Sequence, residues 1–396
     1  MQLEPGAHYR ALRDAVREFA QSTVSAHAAD VDREHRFPRE AVEAARALDL
    51  MGILIPDEYG GAGRDHLAFT ICIEELARAC ASTSVIIDVH NSVASEPILL
   101  FGTEEQKRAW LPRMASGEVL GAFALTEPGF GSDAAALRTS ATRHGDEWVL
   151  TGTKVFITNV GEAGVYLVFA RSGPEPGAAG VSAFLVPAGS PGLRVGQVFH
   201  KMGLNGSPTG ELVLEEVRVP AANLLHREGK GFGVAMRALD GGRIGISGQA
   251  LGIADAALTA AIECVGGRDP SEEEDDLLPL TPWQLRGGGQ GSAFTVADMA
   301  TRLTAARQMA YHAAVLCGQG RPFTLEASMA KLFCTDTAMD LASEAVQLAG
   351  EEGSLAGNPV ERHFRDAKAL QIYEGSNQVQ RIVIARHLLG RSGVHA

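Results

Sequence analysis

Lysine is scarce in this chain. Only six lysines (107, 154, 201, 230, 331 and 368) occur among 396 residues, and the 35 Lys and Arg together face 48 Asp and Glu, for a formal net charge of −13. The bases are scattered and form no tract, which excludes general binding to a phosphate backbone, where clustered Lys and Arg are required. Cysteine is also sparse: five residues (72, 80, 264, 317, 334), an odd number with no C-x-x-C pair. Cys72, Cys80 and Cys334 fall within apolar helical patterns, so the expectation is reduced core cysteines rather than a disulfide framework. Long apolar runs are missing. Stretches such as Val85–Val89 fall far short of the ~18 residues that cross a bilayer, so no membrane span is expected. The opening MQLEPGAHYRALRDAVREFA lacks an apolar core flanked by positive charge and a small-residue cleavage site, so a cytoplasmic protein is expected. There is no G-x-x-x-x-G-K-[ST], G-x-S-x-G or H-E-x-x-H, and the twelve histidines have no ligand spacing. These absences disfavour a nucleotide phosphate loop, a serine hydrolase and a zinc enzyme.

What is present is globular: 45% hydrophobic and 21% charged residues, in a length that suggests two or three domains. Residues 1–119 carry a helical period, with Pro38 in a first helical turn, Gly52 closing the run that follows, and Thr103 to Gln106 reading as a capping box. Residues 120–222 read as short strands between turns: Glu147–Leu150, Val155–Ile157, Val165–Ala170, Val181–Val186, Leu193–Phe199 and Glu211–Val219. That spacing predicts a small antiparallel barrel or sandwich. Residues 229–391 return to the helical period in four amphipathic segments, Ala250–Cys264, Val296–Cys317, Leu325–Leu348 and Gln378–Leu389, enough for a four-helix bundle. Gly266–Ala293 interrupts them with five consecutive acids, three prolines and a glycine cluster, and reads as a solvated loop or a functional lid. The glycines at 229–233 and 287–291 resemble phosphate loops but read as turns.

The remaining chemistry lies in small polar residues at strand edges. In Phe123 to Asp133 a strand runs into a Gly-rich turn whose amides and hydroxyls suit an anion, or simply a tight loop. Phe156 and Thr158, two apart, share one strand face that suits a planar heterocycle, although core packing explains Phe156 equally well. Glu374 lies just before the last helix, with Gly375 allowing a close approach and Ser376 as N-cap; the acid there is either functional or a helix-dipole partner.

Five stretches in register, ALTEPGFGSD, TGTKVFITN, LDGGRIGISGQALGIA, ERHFRDAK and IYEGSNQVQRIVIARHLLG, together resemble the acyl-CoA dehydrogenase family, nearest its short-chain members, over about Leu12 to Gly390. The resemblance implies a mainly α fold with a β middle domain: an N-terminal helical domain, a small β-barrel and a C-terminal four-helix bundle, normally a homotetramer (a dimer of dimers) carrying FAD. By position it implies flavin and pyrophosphate contacts from Phe123, Leu125, Thr126 and Ser132, and isoalloxazine contacts from Phe156 (Trp in many relatives) and Thr158. Further FAD contacts are implied for Ser376 and Gln378, and substrate contacts for Ser132, Asp240 to Arg243 and Gly375. Glu374 takes the role of catalytic base. The implied reaction removes the α-proton of a thioester in a dry pocket and passes the β-hydride to flavin N5, with the thioester oxygen held by the Glu374 amide and a ribityl hydroxyl. An electron-transferring flavoprotein is the implied acceptor.

Two stretches depart from the family pattern. Where relatives carry R-x-x-F-G, Arg268 is kept but an acidic run follows it. Where relatives carry Q-x-x-G-G, the chain reads Gln347-Leu348-Ala349-Gly350-Glu351. Both departures fall on contacts to the ADP half of FAD, and acids there repel a diphosphate unless screened. Three readings follow: a dehydrogenase of short or branched acyl-CoA, a dehydrogenase of an acyl group on a carrier protein, and a flavin-poor structural partner in a hetero-oligomer.

Overall fold

The computed structural model describes residues 6–266 and 289–390. The N-terminal region is helical: α1 Ala7–Phe19, α2 Ser25–Glu34, α3 Arg39–Ala45, α4 His66–Ala79, α5 Ala81–Val89, α6 Glu96–Phe101 and α7 Glu104–Ala115. Two five- to six-residue π-helical stretches, Ala20–Val24 and His90–Ser95, join α1 to α2 and α5 to α6 without breaking the chain direction. The capping box at Thr103 and Gln106 forms as expected. Pro38 stands one residue earlier than expected, at the N-cap of α3, and Cys80 sits in an extended break between α4 and α5.

Eight strands follow: β1 Gly121–Ala124, β2 Ser140–His144, β3 Glu147–Thr158, β4 Val165–Arg171, β5 Val181–Pro187, β6 Leu193–Val198, β7 Thr209–Pro220 and β8 Leu224–Leu225. They make one sheet in the order β6-β7-β3-β2-β4-β5-β8, with β1 on β4. Pairing is antiparallel except where β1 runs parallel to β4 and β2 meets β4 at a single parallel bridge. The two strands expected at 147–150 and 155–157 are one strand, bent by bulges against β7 between Leu150 and Gly152 and between Lys154 and Ile157. Separate apolar clusters cover the two faces of the sheet, one containing Leu167, Phe169 and Leu185, the other Trp148, Val168 and Phe184.

The C-terminal region holds α8 Gly231–Gly266, α9 Gly289–Gly318, α10 Thr324–Ala349, α11 Pro359–Leu370 and α12 Asn377–Leu389. Helix α8 begins about twenty residues before the segment expected at Ala250, since its Gly-rich first half shows no helical stripe in sequence. It packs on α4, α9 and α10 and is buried along most of its apolar length. The glycines at 229–233 do lie between a strand and a helix, at the start of α8. The Gly229 amide bonds Ser182 Oγ, and a Cβ at Gly231 would strike the Ser182 backbone, so this turn is pressed onto β5 rather than open to a phosphate. Helix α11, absent from the four expected segments, carries a buried face of Val360, His363, Ala367 and Leu370. The last residues of the expected 266–293 loop belong to α9; Arg268 and the acidic run lie outside the described residues.

Candidate active site

The site is built around the turn between α11 and α12. Glu374 and Gly375 both have positive φ, 51° and 86°, which folds the chain back on itself before Ser376 caps α12 through the Val379 amide. The turn is held on all sides. Asn377 N donates to Gln371 O at 2.9 Å, and the Gly375 carbonyl accepts from Lys331 Nζ and Gln380 Nε2, both at 2.9 Å. Asn377 Nδ2 donates to Thr335 Oγ1 and Asp336 Oδ1. The space that Gly375 leaves is filled by the Gln380 side chain, 2.6 Å from where a Cβ would stand.

This geometry drives the Glu374 carboxyl inward against α8. A Cβ on Gly242 would collide with Glu374 Oε2, and Val93 closes the same side. Oε2 is shielded from solvent and has no hydrogen-bond partner among the described residues. Loss of water raises the carboxyl's proton affinity while Lys331 and Arg243 draw it back, leaving it at about 7. Lys331 is itself 0% exposed, and burial lowers it to about 7. A half-buried carboxyl balanced near neutrality, with one oxygen shut off from solvent, can accept a proton from a weak carbon acid.

Asp240 and Arg243, expected to touch substrate, pair with each other at 2.6 Å. Asp240 also accepts from Thr324 Oγ1 at 2.6 Å, and Arg243 reaches Ser328 Oγ at 3.2 Å. Both oxygens of Asp240 are thus engaged within the helices, whereas Arg243 Nε has no partner among the described residues.

The residues expected on the flavin come from the sheet. The bulge after Lys154 gives Phe156 a φ of 58° and turns its ring outward, 67% exposed, with Phe199 beside it at 5.1 Å. Val155 and Ile157 are buried and Thr158 half-buried, so Phe156 and Thr158 do share the open face. The Val155 amide bonds Thr126 O at 2.9 Å, laying the loop after β1 along this face. Beneath it, the fully buried Lys154 Nζ donates to Leu125 O and to Glu127 Oε1, at 3.1 and 2.7 Å, while Glu127 also accepts the Arg138 and Thr139 amides. This pair fixes the loop that carries Leu125 (buried), Thr126 (half-buried) and Ser132 (exposed). Phe123 packs on Phe169 and, with Tyr373, on the small cluster of Val85, Val89, Val93 and Ala238, which brings the sheet edge and the Glu374 turn to one place. An exposed aromatic face, half-exposed hydroxyls and a Gly-rich turn form a set that fits a flavin. Gln378 is exposed on α12; Gln347 is exposed near the end of α10, and Gly350 follows it with φ 71°.

Three participants escaped the sequence reading: Lys331, Asp88 and Tyr373. Asp88 is fully buried on α5, and the Tyr373 hydroxyl bonds Gln249 Oε1. Lys331 and Asp88 sit at apolar helical spacing, where a lone charge gives no signal of its partner.

Profiles of the acyl-CoA dehydrogenase N-terminal, middle and C-terminal domains match residues 6–118, 122–217 and 286–389. The chain is 46% identical to an acyl-CoA dehydrogenase of Bacillus subtilis, covering 96% of this chain and 97% of that one. It is 45% identical to the mitochondrial short-chain specific acyl-CoA dehydrogenase of Bos taurus, over 96% and 90%. The solved butyryl-CoA dehydrogenase of Megasphaera elsdenii superposes with a TM-score of 0.91 at 38% identity, covering 98% of this chain and 100% of that one. With all three domains matched in order, the chain belongs to the acyl-CoA dehydrogenase family.

Proposed function

We propose that this protein removes the α-proton and β-hydride of a short or branched acyl-CoA, giving the α,β-enoyl thioester, with Glu374 as base. The observation that carries the reading is the sealed, unpartnered Glu374 Oε2 seated against Gly242. The enzyme is FAD-dependent, and FAD supplies the acceptor of the β-hydride. Phe156, Thr158, Thr126 and the loop through Ser132 would hold it, and Ser376 and Gln378 lie at the neighbouring helix start. The protein's own part is to exclude water from the α-carbon, to hold the Glu374 carboxylate at the proton, and to place the Glu374 amide where it can meet the thioester oxygen. The exposed Leu388 and Leu389 at the end of α12 support assembly with further copies, as a tetramer, and an electron-transferring flavoprotein is the proposed acceptor. The retention of Glu374 and Thr158 favours this reading over a flavin-poor structural partner.

The test is anaerobic reduction. Butyryl-CoA bleaches the visible flavin band of the purified protein, and Glu374→Gln lowers the bleaching rate by roughly a hundredfold to ten-thousandfold, the range of a lost general base, with the flavin still bound. Bleaching of Glu374→Gln at the wild-type rate rules out the assignment; bleaching only by an acyl-carrier protein thioester moves the substrate class.

A further inference from the structure

A second carboxyl lies within electrostatic reach of the base. Asp88 is 0% exposed and rests on α8 where a Cβ at Gly245 would overlap its Oδ1. Ser92 Oγ lies 2.8 Å from the Asp88 backbone carbonyl and 2.9 Å from Asp88 Oδ1. A hydroxyl has one proton to give. If it goes to the backbone carbonyl four residues earlier, as helical serines commonly do, the contact with Oδ1 is satisfied when the carboxyl itself carries a proton and donates it to Ser92 Oγ. Asp88 Oδ2 has no hydrogen-bond partner among the described residues, which a neutral carbonyl oxygen tolerates far better than a carboxylate.

The surrounding charges point the same way. Among the described residues, the charged side chain acting on Asp88 is Glu374, whereas Glu374 has Lys331 and Arg243 beside it. His90, two residues further along, is neutral and committed to Met114 O and the Gly121 amide. Glu74 and Glu75 on α4 are paired with Arg307, Arg13 and Arg17, and the Tyr373 hydroxyl is bonded to Gln249. Two acids share one pocket and the cations flank only one of them. The anion therefore settles on Glu374, and burial plus repulsion hold Asp88 well above the usual carboxylate range.

We propose that Asp88 is a positioning residue for the dehydrogenation: it stays a neutral acid whose O–H is given to Ser92, and so leaves Glu374 as the one of these two acids that carries the charge. The proposal rests on Glu374 being the base. Were the roles reversed, Glu374 would hold a proton at neutral pH and could not take another. Ionising Asp88 at high pH places a second negative charge near the enolate that develops on the thioester, and turnover falls.

Two measurements on the FAD-loaded enzyme test this. The first is infrared spectroscopy at about pH 8.5, above the values for Glu374 and for the buried Asp366, about 7 and about 6. A neutral carboxylic C=O band should persist there and vanish in Asp88→Asn. The second is the pH profile of flavin reduction by butyryl-CoA in wild type and Asp88→Asn, whose amide can still donate to Ser92. The acid limb should stay within about 0.3 unit, while the alkaline limb moves up by at least half a unit. An acid limb that drops by half a unit or more shows that Asp88 is already charged and overturns the proposal, as does an alkaline limb that does not move. Absence of the infrared band in wild type overturns it even if Asp88→Asn does not fold. Failure of wild type to be reduced by any acyl-CoA overturns instead the reading of the reaction.

Discussion

Lysine 331 shows how much one buried side chain can set. It is tied to the Gly375 carbonyl and to Asn377 Oδ1, so it both holds the turn in its left-handed form and draws down the proton affinity of Glu374. Replacing it with methionine keeps the length and removes the charge. Glu374 then holds its proton to higher pH, and the acid limb of kcat/KM moves up by about one unit, or ~1.4 kcal/mol. A pH profile of Lys331→Met checks this; a limb at its wild-type position shows that Lys331 only braces the turn. Residues of this sort are hard to read from sequence. Glu374 was legible because it stands between recognisable neighbours, Ile372-Tyr373 and Gly375-Ser376. Lys331 lies on an ordinary helical face, and only folding brings it to a carbonyl 44 positions away.

At the scale of elements, β3 and α8 do the positioning. The Lys154–Glu127 pair is almost wholly buried, and Lys154 makes a second hydrogen bond to Leu125 O, so losing one partner strands the other charge, at a cost of about 3–5 kcal/mol. Lys154→Met should therefore loosen the loop that carries Thr126 and Ser132. The expected result is FAD lost on dilution or gel filtration, read as a fall in the visible absorbance per chain, before the overall fold is lost. Gly242→Ala acts on the other wall. Its methyl collides with Glu374 Oε2, and the rate of flavin reduction should fall at least tenfold, since a misplaced base loses much of its effect. A melting temperature within a few degrees of wild type would show that the loss is local. The strand-rich middle was legible from its turns, and helices α9, α10 and α12 from their apolar stripes. The first half of α8 was not, because Gly241, Gly242, Gly245 and Gly248 remove the stripe where other groups press against the helix. The bulge that turns Phe156 outward was also invisible, because bulges follow from pairing with β7 and not from local sequence.

Across the whole molecule, the three regions are stitched together near α11. Arg365 pairs with Asp32 of α2, which also accepts from Asn205 in the loop before β7. Asp366 accepts the Leu204 amide of that loop at 2.5 Å. Burial raises Asp366 to about 6, so above that pH the fold keeps a charge that the unfolded chain carries more easily. The sign follows: Asp366 costs stability above about pH 6, up to ~3 kcal/mol, and nothing once the pH is below its unfolded value near 4. Asp366→Asn, which keeps an acceptor for Leu204, should melt at or above the wild-type temperature at about pH 8. The difference should shrink to nothing near pH 4, as thermal melts at the two pH values will show. Helix α8 runs through all of this, and its glycines seat three acids at once. A Cβ at Gly241 would stand 2.8 Å from Glu96 Oε2, and those at Gly242 and Gly245 would overlap Glu374 and Asp88. One residue inserted among those seats would rotate the rest of the helix by about 100° and bring isoleucine or alanine side chains round to all that lies beyond it. Between positions 241 and 245 the spelling of this helix has no slack.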